Sequence, residues 1–236
     1  MANPLISQKI SRQSFGAIDR SRVSISHQLL HIHWSITPMN ERFSEIYEKN
    51  EWGYGSGVGS LPLNNVEYLR FLKVFLNRNK IGSVIDFGCG DWQFSRFIDW
   101  EGAKYTGFDT VAKLIERNQA TFSSEDVAFR IFKPGDDLPE ADLILCKDVF
   151  QHLSNSLIRQ YLDLFKARAK FLLITNDEWP AENQTNFDIQ DGGWRPIRLD
   201  LSPFYEVAPV ILSWVIEWGG WKPTRKATCL ILGNRK

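Results

Sequence analysis

The sequence predicts an α/β fold: a doubly wound, mostly parallel sheet with helices on both faces and a C-terminal antiparallel strand pair. Three observations predict it. A short apolar run, Val84 to Phe87, breaks into a glycine turn at Gly88 and Gly90, and the next such run ends on an acid, Asp109. Apolar strand-like runs then alternate with segments of helical period, the pattern of a parallel sheet wrapped by helices. Two closing apolar runs, Ile211 to Trp218 and Thr228 to Leu232, have no helix between them and read as a hairpin.

The elements follow in order. Glu41 to Lys49 has helix-forming composition with Phe43, Ile46 and Tyr47 on one side. Trp52 to Ser60 is glycine-rich. Val66, Leu69, Leu72, Phe75 and Leu76 recur at helical spacing between Asn65 and Asn79. Strand one is Val84 to Phe87, a helix is expected over Gln93 to Asp99, and strand two is Tyr105 to Phe108. Thr110 is placed to cap a helix over Val111 to Asn118. Val127 to Phe132 and Ala141 to Cys146 are strands three and four. Leu157 to Ala169 is a helix with Leu157, Tyr161, Leu164 and Phe165 inward, and Phe171 to Thr175 is strand five.

The 236 residues suffice for one domain, taken as residues 41–236 behind an N-terminal tail or helical cap at 1–40. The first thirty residues carry Lys9, Arg12, Arg20 and Arg22 against Asp19, a composition shared by mobile tails and organelle transit segments. His31 and His33 lack an acid partner nearby and read as surface or packing histidines. Lysine plus arginine equals aspartate plus glutamate at 28 each, which argues against a chain built to grip nucleic acid. No apolar run reaches membrane-spanning length, so no membrane partner is expected. Cys89, Cys146 and Cys229 sit in apolar runs without metal-ligand spacing, which points to buried thiols, a reducing cytoplasmic setting and no metal site.

A strand, a glycine turn, a helix and an acid at the next strand's tip form a nucleoside-binding unit. A dinucleotide site wants a third glycine where this chain has Gln93, and the carboxylates of Asp86 and Asp91 would repel a pyrophosphate. They suit a ligand with a cationic end. In those terms Asp86-Phe-Gly-Cys-Gly90 resembles the first motif of class I S-adenosylmethionine-dependent methyltransferases, and Gly107-Phe-Asp109 their second. The likeness covers roughly residues 64–175. It implies S-adenosylmethionine as cofactor, held by Asp86, Gly88, Cys89, Gly90 and Trp92 at strand one and by Asp109 and Thr110 at strand two. Asp136 and Asp137 follow strand three, where Asp136 or Asp137 accepts from the adenine amino group or both belong to a solvated turn.

Cys146-Lys-Asp-Val-Phe-Gln-His152 resembles the family's fourth motif, which brings Lys147 to the methionine end of the cofactor. Asp148 and His152 can share a face near the methyl group. His152 is a base suited to neutral pH, or it packs behind the cofactor as in many relatives. Asp177 and Glu178, after strand five, are bases, ligands of a divalent ion with Asp148, or solvated helix-cap acids. The catalytic candidates are therefore His152, Asp148 and Asp177. Asn183 to Arg198, with Trp194 and Arg195, is long for a connection and reads as a binding loop.

Trp52 to Ser60 reads as a lid or wall over the cofactor, or as a linker. With Tyr47 it resembles the segment leading into methyltransferases of surface-glycan and other sugar-modifying pathways. The expected activity is methyl transfer to a hydroxyl of a small molecule or carbohydrate, with a sugar favoured. The alternatives are a protein or nucleic-acid methyltransferase, a non-catalytic cofactor-binding subunit and an NAD-dependent oxidoreductase. The strand-four tip lacks the prolines typical of base methylation, and the sequence leaves the oligomeric state open.

Overall fold

The computed structural model describes residues 39–179, 185–217 and 223–235. The expected tail or cap, with His31 and His33, lies outside them. Seven strands form one sheet: β1 (Ser83–Phe87), β2 (Lys104–Asp109), β3 (Val127–Ile131), β4 (Ala141–Lys147), β5 (Ala169–Glu178), β6 (Val210–Ile216) and β7 (Thr224–Leu232). Their order is β3-β2-β1-β4-β5-β7-β6. The first five run parallel, and β7 lies antiparallel between β5 and β6. The doubly wound sheet with its closing antiparallel pair is the expected one.

Side-chain alternation builds a core on each face. Ile85, Phe87, Ile144, Cys146, Leu172 and Ile174 face one side, where helices α1 (Met39–Glu48) and α4 (Asn155–Arg168) supply Phe43, Ile46, Ile158 and Phe165. Val84, Leu143, Leu145 and Leu173 face the other, covered by α2 (Val66–Arg78) with Tyr68, Leu72 and Leu76, and by Ile115 of α3 (Ala112–Phe122). The central strands β1, β4 and β5 are buried on both faces and lack the apolar-polar alternation of a solvated sheet, whereas the edge strands β3 and β6 expose Ile131 and Val215.

Three local expectations change. The helix expected over Gln93 to Asp99 is only a three-residue 3-10 turn, Ser95–Phe97. Trp92 enters the left-handed region at φ +57°, and the side chain of Gln93 is spent on Asp91 and the Tyr54 carbonyl. A helix cannot start through that backbone. Secondly, α3 begins at Ala112 and runs to Phe122. The acid before it, and not Thr110, meets its first turn: the Val111 N–H donates to Asp109 Oδ1 at 2.9 Å.

Thirdly, β5 extends to Glu178 because β7 continues to pair with it. Asp177 and Glu178 are therefore strand residues opposite Lys226 and Arg225, not helix-cap acids. Opposite charges on paired strands favour that extension.

Gly107, in the middle of β2, has no room for a side chain. A Cβ there would lie 2.9 Å from both Cys89 Sγ and Phe129 Cδ1. Gly107→Ala is expected to destabilise the fold by about 1–3 kcal/mol through overpacking. Urea denaturation should show a lower midpoint at unchanged slope; an unchanged midpoint would contradict this packing.

Candidate active site

The carboxyl ends of β1, β2, β4 and β5 open into a cavity of about 420 Å³, within the range of small-molecule sites. At the β1 tip the chain turns sharply. Gly88 (φ +75°) and Gly90 (φ +55°) are left-handed, and a Cβ at Gly88 would lie 2.3 Å from Val149 Cγ2. The Gly88 and Cys89 N–H groups both donate to the Phe108 carbonyl, at 2.8 and 3.0 Å, tying the turn to β2. Asp109, at the β2 tip, accepts from Gly90 N–H at 3.0 Å. Burial raises its pKa, while backbone donors from Val111, Gly90 and Thr110 oppose the rise. Thr110 lines the cavity, and its buried Oγ1 has no hydrogen-bond partner among the described residues.

Asp86 is buried beneath the turn and lines the cavity. Its Oδ2 accepts from Tyr105 Oη at 2.7 Å and from Ser95 Oγ at 3.4 Å. Burial raises its pKa to about 6, against these hydrogen bonds and the charge of Lys147. Two carboxylates, a cradle without Cβ atoms and an open hydroxyl fit a nucleoside with a cationic tail. The basic groups a pyrophosphate needs are absent from the turn.

Residues of segment 52–60 form one wall. Ser56 Oγ donates to Asp91 Oδ1 at 2.7 Å and accepts from Asp91 N–H at 3.0 Å and from Tyr47 Oη at 2.8 Å. The wall thus closes on the glycine turn, and a Cβ at Gly90 would meet Ser56 Oγ at 2.4 Å. Trp52 reaches across to His152, with ring centroids 4.7 Å apart.

At the other end a chain of four buried charges crosses the strand tips. Lys147 Nζ donates to Asp148 Oδ2 at 2.6 Å and to the Gly59 carbonyl at 2.9 Å. Lys226 Nζ bridges Asp148 Oδ1 at 2.7 Å and Asp177 Oδ1 at 2.5 Å. Trp194 Nε1 donates to Asp177 Oδ2 at 3.1 Å. Asp148 takes a left-handed backbone (φ +58°), and its N–H donates to the Thr175 carbonyl at 2.8 Å. Although burial alone would raise its pKa, the two lysines bring it down to about 2. It is a poor base. The Lys226 ammonium also fills the position between Asp148 and Asp177 that a shared divalent ion would take. Among the described residues no cluster of three or more His, Cys, Asp or Glu is placed to hold a metal.

His152 is buried and neutral. Desolvation lowers its pKa, outweighing the carbonyl and carboxylates that favour the charged form. Its Nδ1 lies 2.7 Å from the Gly193 carbonyl, which can only accept, so Nδ1 carries the proton and Nε2 the lone pair. Gln151 agrees with that assignment. Its Oε1 accepts from Asp177 N–H at 2.8 Å, which turns its amide nitrogen toward His152 Nε2 at 3.4 Å.

The cavity therefore gathers Asp86, Gly88, Cys89, Gly90, Asp109, Thr110, Lys147, Asp148, His152 and Asp177. Two expected residues lie elsewhere. Asp136 is exposed and closes its own turn by accepting from Lys133 N–H at 2.8 Å, the solvated-turn alternative. Trp92 is buried in the core against Tyr105, Phe122 and Phe129. Lys226, Gln151 and Gly193 went unread in the sequence. Only the strand register that sets Lys226 opposite Asp177 could have drawn attention to it.

A family model described as a methyltransferase domain matches residues 64–224, well over half of the chain. The chain belongs to this methyltransferase family. A search of curated proteins finds no sequence relative. The fold is shared with the N-methyltransferase NodS from Bradyrhizobium japonicum WM9, solved with S-adenosyl-L-homocysteine, at a TM-score of 0.57 and 13% identity over 81% of this chain and 97% of that one. It is shared also with magnesium protoporphyrin IX methyltransferase from Synechocystis PCC 6803 with bound SAM, at a TM-score of 0.54 and 12% identity over 82% and 97%. The resemblance to class I S-adenosylmethionine-dependent methyltransferases holds at the level of family and fold.

Removing the Asp148 charge from the methyltransferase leaves Lys147 without its carboxylate and Lys226 with one fewer. Asp148→Asn is expected to cost about 3–5 kcal/mol, the range for breaking a buried pair. Because the folded pKa of Asp148 is depressed, its stabilisation is present above the unfolded carboxylate value of 3.8 and fades as pH falls toward about 2. Denaturation of parent and variant at pH 7 and pH 3 measures both effects. A variant as stable as the parent at pH 7 would contradict the ion-pair account.

Proposed function

We propose that this methyltransferase moves the methyl group of S-adenosylmethionine onto a hydroxyl of a small molecule or glycan, a sugar hydroxyl foremost. Asp86, Gly88, Cys89, Gly90, Asp109 and Thr110 would hold the cofactor, in keeping with the solved relatives that carry it or its product. The bound cofactor supplies an electrophilic methyl carbon on a good leaving group, so alignment and proton removal fall to the protein. The observation that carries the reading is the neutral His152, fixed by Gly193 through Nδ1, with its unprotonated Nε2 held by a long 3.4 Å contact from the Gln151 amide that an acceptor hydroxyl would displace. In this reading His152 Nε2 takes the acceptor hydroxyl's proton as the new bond forms. Trp52 packs against the imidazole at a 35° tilt and limits its rotation.

Asp148 and Asp177, both bound to Lys226, shape the acceptor end electrostatically and do not act as the base. Gln151, Thr224, Lys226 and Asp177 line the cavity along with Trp52, polar groups beside an aromatic ring that support a polyhydroxylated acceptor. The buried thiols Cys89, Cys146 and Cys229 support a reducing, cytoplasmic setting.

The test is single-turnover transfer from labelled cofactor to nucleotide sugars, glycans, phenols and peptides. His152→Gln should slow the chemical step by roughly a hundred to ten-thousandfold on the true acceptor and spare cofactor affinity. Since burial pushes His152 below the ordinary imidazole value, the parent's rate should be flat from pH 8 to pH 7. It should fall only on an acid limb below about 6.5. Transfer to peptides or phenols and to no sugar would overturn the acceptor; an undiminished rate in His152→Gln would overturn the base.

A further inference from the structure

A buried relay stands behind Asp86. Trp92 Nε1 donates to Tyr105 Oη at 2.8 Å, and Tyr105 Oη donates onward to Asp86 Oδ2 at 2.7 Å. The Trp92 donor fixes the direction of the phenol, because a hydroxyl that accepts from the indole has its own proton left for the carboxylate. Trp92 and Tyr105 are both buried, and neither lines the cavity. Ser95 Oγ also donates to Oδ2. Both hydrogen bonds fall on one oxygen, which leaves Oδ1 for the cavity that Asp86 lines.

We propose that Tyr105, oriented by Trp92, is the positioning residue that keeps Asp86 ionised and turned toward the cofactor's cationic end. A phenol in the core thereby sets the affinity for the cofactor and the lowest pH at which it is held. This rests on reading the cavity as the S-adenosylmethionine site. Hydrogen bonding to a carboxylate favours its charged form. Among the described residues the other charged and titratable neighbours of Asp86 act as follows. Lys147 at the β4 tip favours the charge, and Asp109 at the β2 tip disfavours it. Tyr68 of α2, Cys89 of the turn and Cys146 of β4 are neutral groups whose own ionisation Asp86 suppresses. Tyr105 stands first among the groups opposing the burial of Asp86.

Removing its hydroxyl must therefore raise the Asp86 pKa, so that less of the carboxylate is charged at neutral pH. The unexpected inward direction of Trp92 gains a role here: it acts on the cofactor through two intervening groups.

The experiment is calorimetric titration of the full chain between pH 5 and pH 8 with two probes, S-adenosylhomocysteine and 5′-methylthioadenosine. The first carries an ammonium group and the second lacks it. Tyr105→Phe should weaken S-adenosylhomocysteine about ten- to hundredfold at pH 7, the scale of a lost hydrogen bond to a charged group. The acid limb of its binding should also move to higher pH. Binding of 5′-methylthioadenosine should stay within about twofold of the parent, the scale of a conservative change that touches none of its contacts. Trp92→Phe, which removes the indole donor together with part of the ring packed on Phe122 and Phe129, should move both quantities the same way and by less, and serves as the second variant once denaturation shows it folded. Equal weakening of both probes would mark a merely structural role and overturn the proposal. So would parent affinity with an unmoved acid limb. A parent that binds neither probe would instead overturn the cofactor reading on which the proposal rests.

Discussion

The site depends on how four buried charges at the tips of β4, β5 and β7 satisfy one another. Lys147, Asp148, Lys226 and Asp177 form a zigzag in which each carboxylate meets an ammonium within 2.7 Å. Isolated charges at that burial would neutralise or unfold the region. Paired, they give a neutral cluster that can sit against a cofactor cavity without dominating it. The same cluster fixes the Gly59 wall through Lys147 and the rim residue Trp194 through Asp177. It also leaves His152 to be governed by burial instead of by an uncompensated neighbour, and so to stay neutral.

The pairing decides the division of labour. Two of the three acids and bases expected to carry chemistry are occupied: Asp148 by two lysines, and Asp177 by Lys226 and the Trp194 indole. What remains is the imidazole. Its tautomer is set by a single carbonyl, Gly193, within the long loop that precedes β6. The next residues, Trp194 and Arg195, anchor that loop. The buried Arg195 guanidinium donates to the Phe150 carbonyl and to Asn155 Oδ1, on either side of the turn that holds His152. Loop and imidazole are thus one mechanical unit.

Much of this was legible in the sequence where the information is local. Asp86, Gly88 and Gly90 declare their turn because only glycine takes those backbone angles, and Asp109 follows at the end of the adjacent strand. The central parallel strands were legible because burial on both faces leaves short, nearly unbroken apolar runs. What stayed hidden depends on distant parts of the chain. Lys226 faces Asp177 only through the register of β5 with β7, and Trp52 meets His152 only once the wall folds over. Trp92 looked like a ligand because it sits in the turn, but its left-handed backbone sends the ring inward. Asp136 looked equally well placed, yet its turn satisfies its carboxylate locally.

The central claim is that His152 is a neutral base with its lone pair on Nε2. Nitrogen-15 NMR of the four histidines in full-chain protein at pH 7, with His152 assigned by its loss in His152→Gln, measures this directly. The account predicts a protonated Nδ1, an unprotonated Nε2 and a titration midpoint below the ordinary imidazole value. An imidazolium at pH 7, or a proton resident on Nε2, would contradict it.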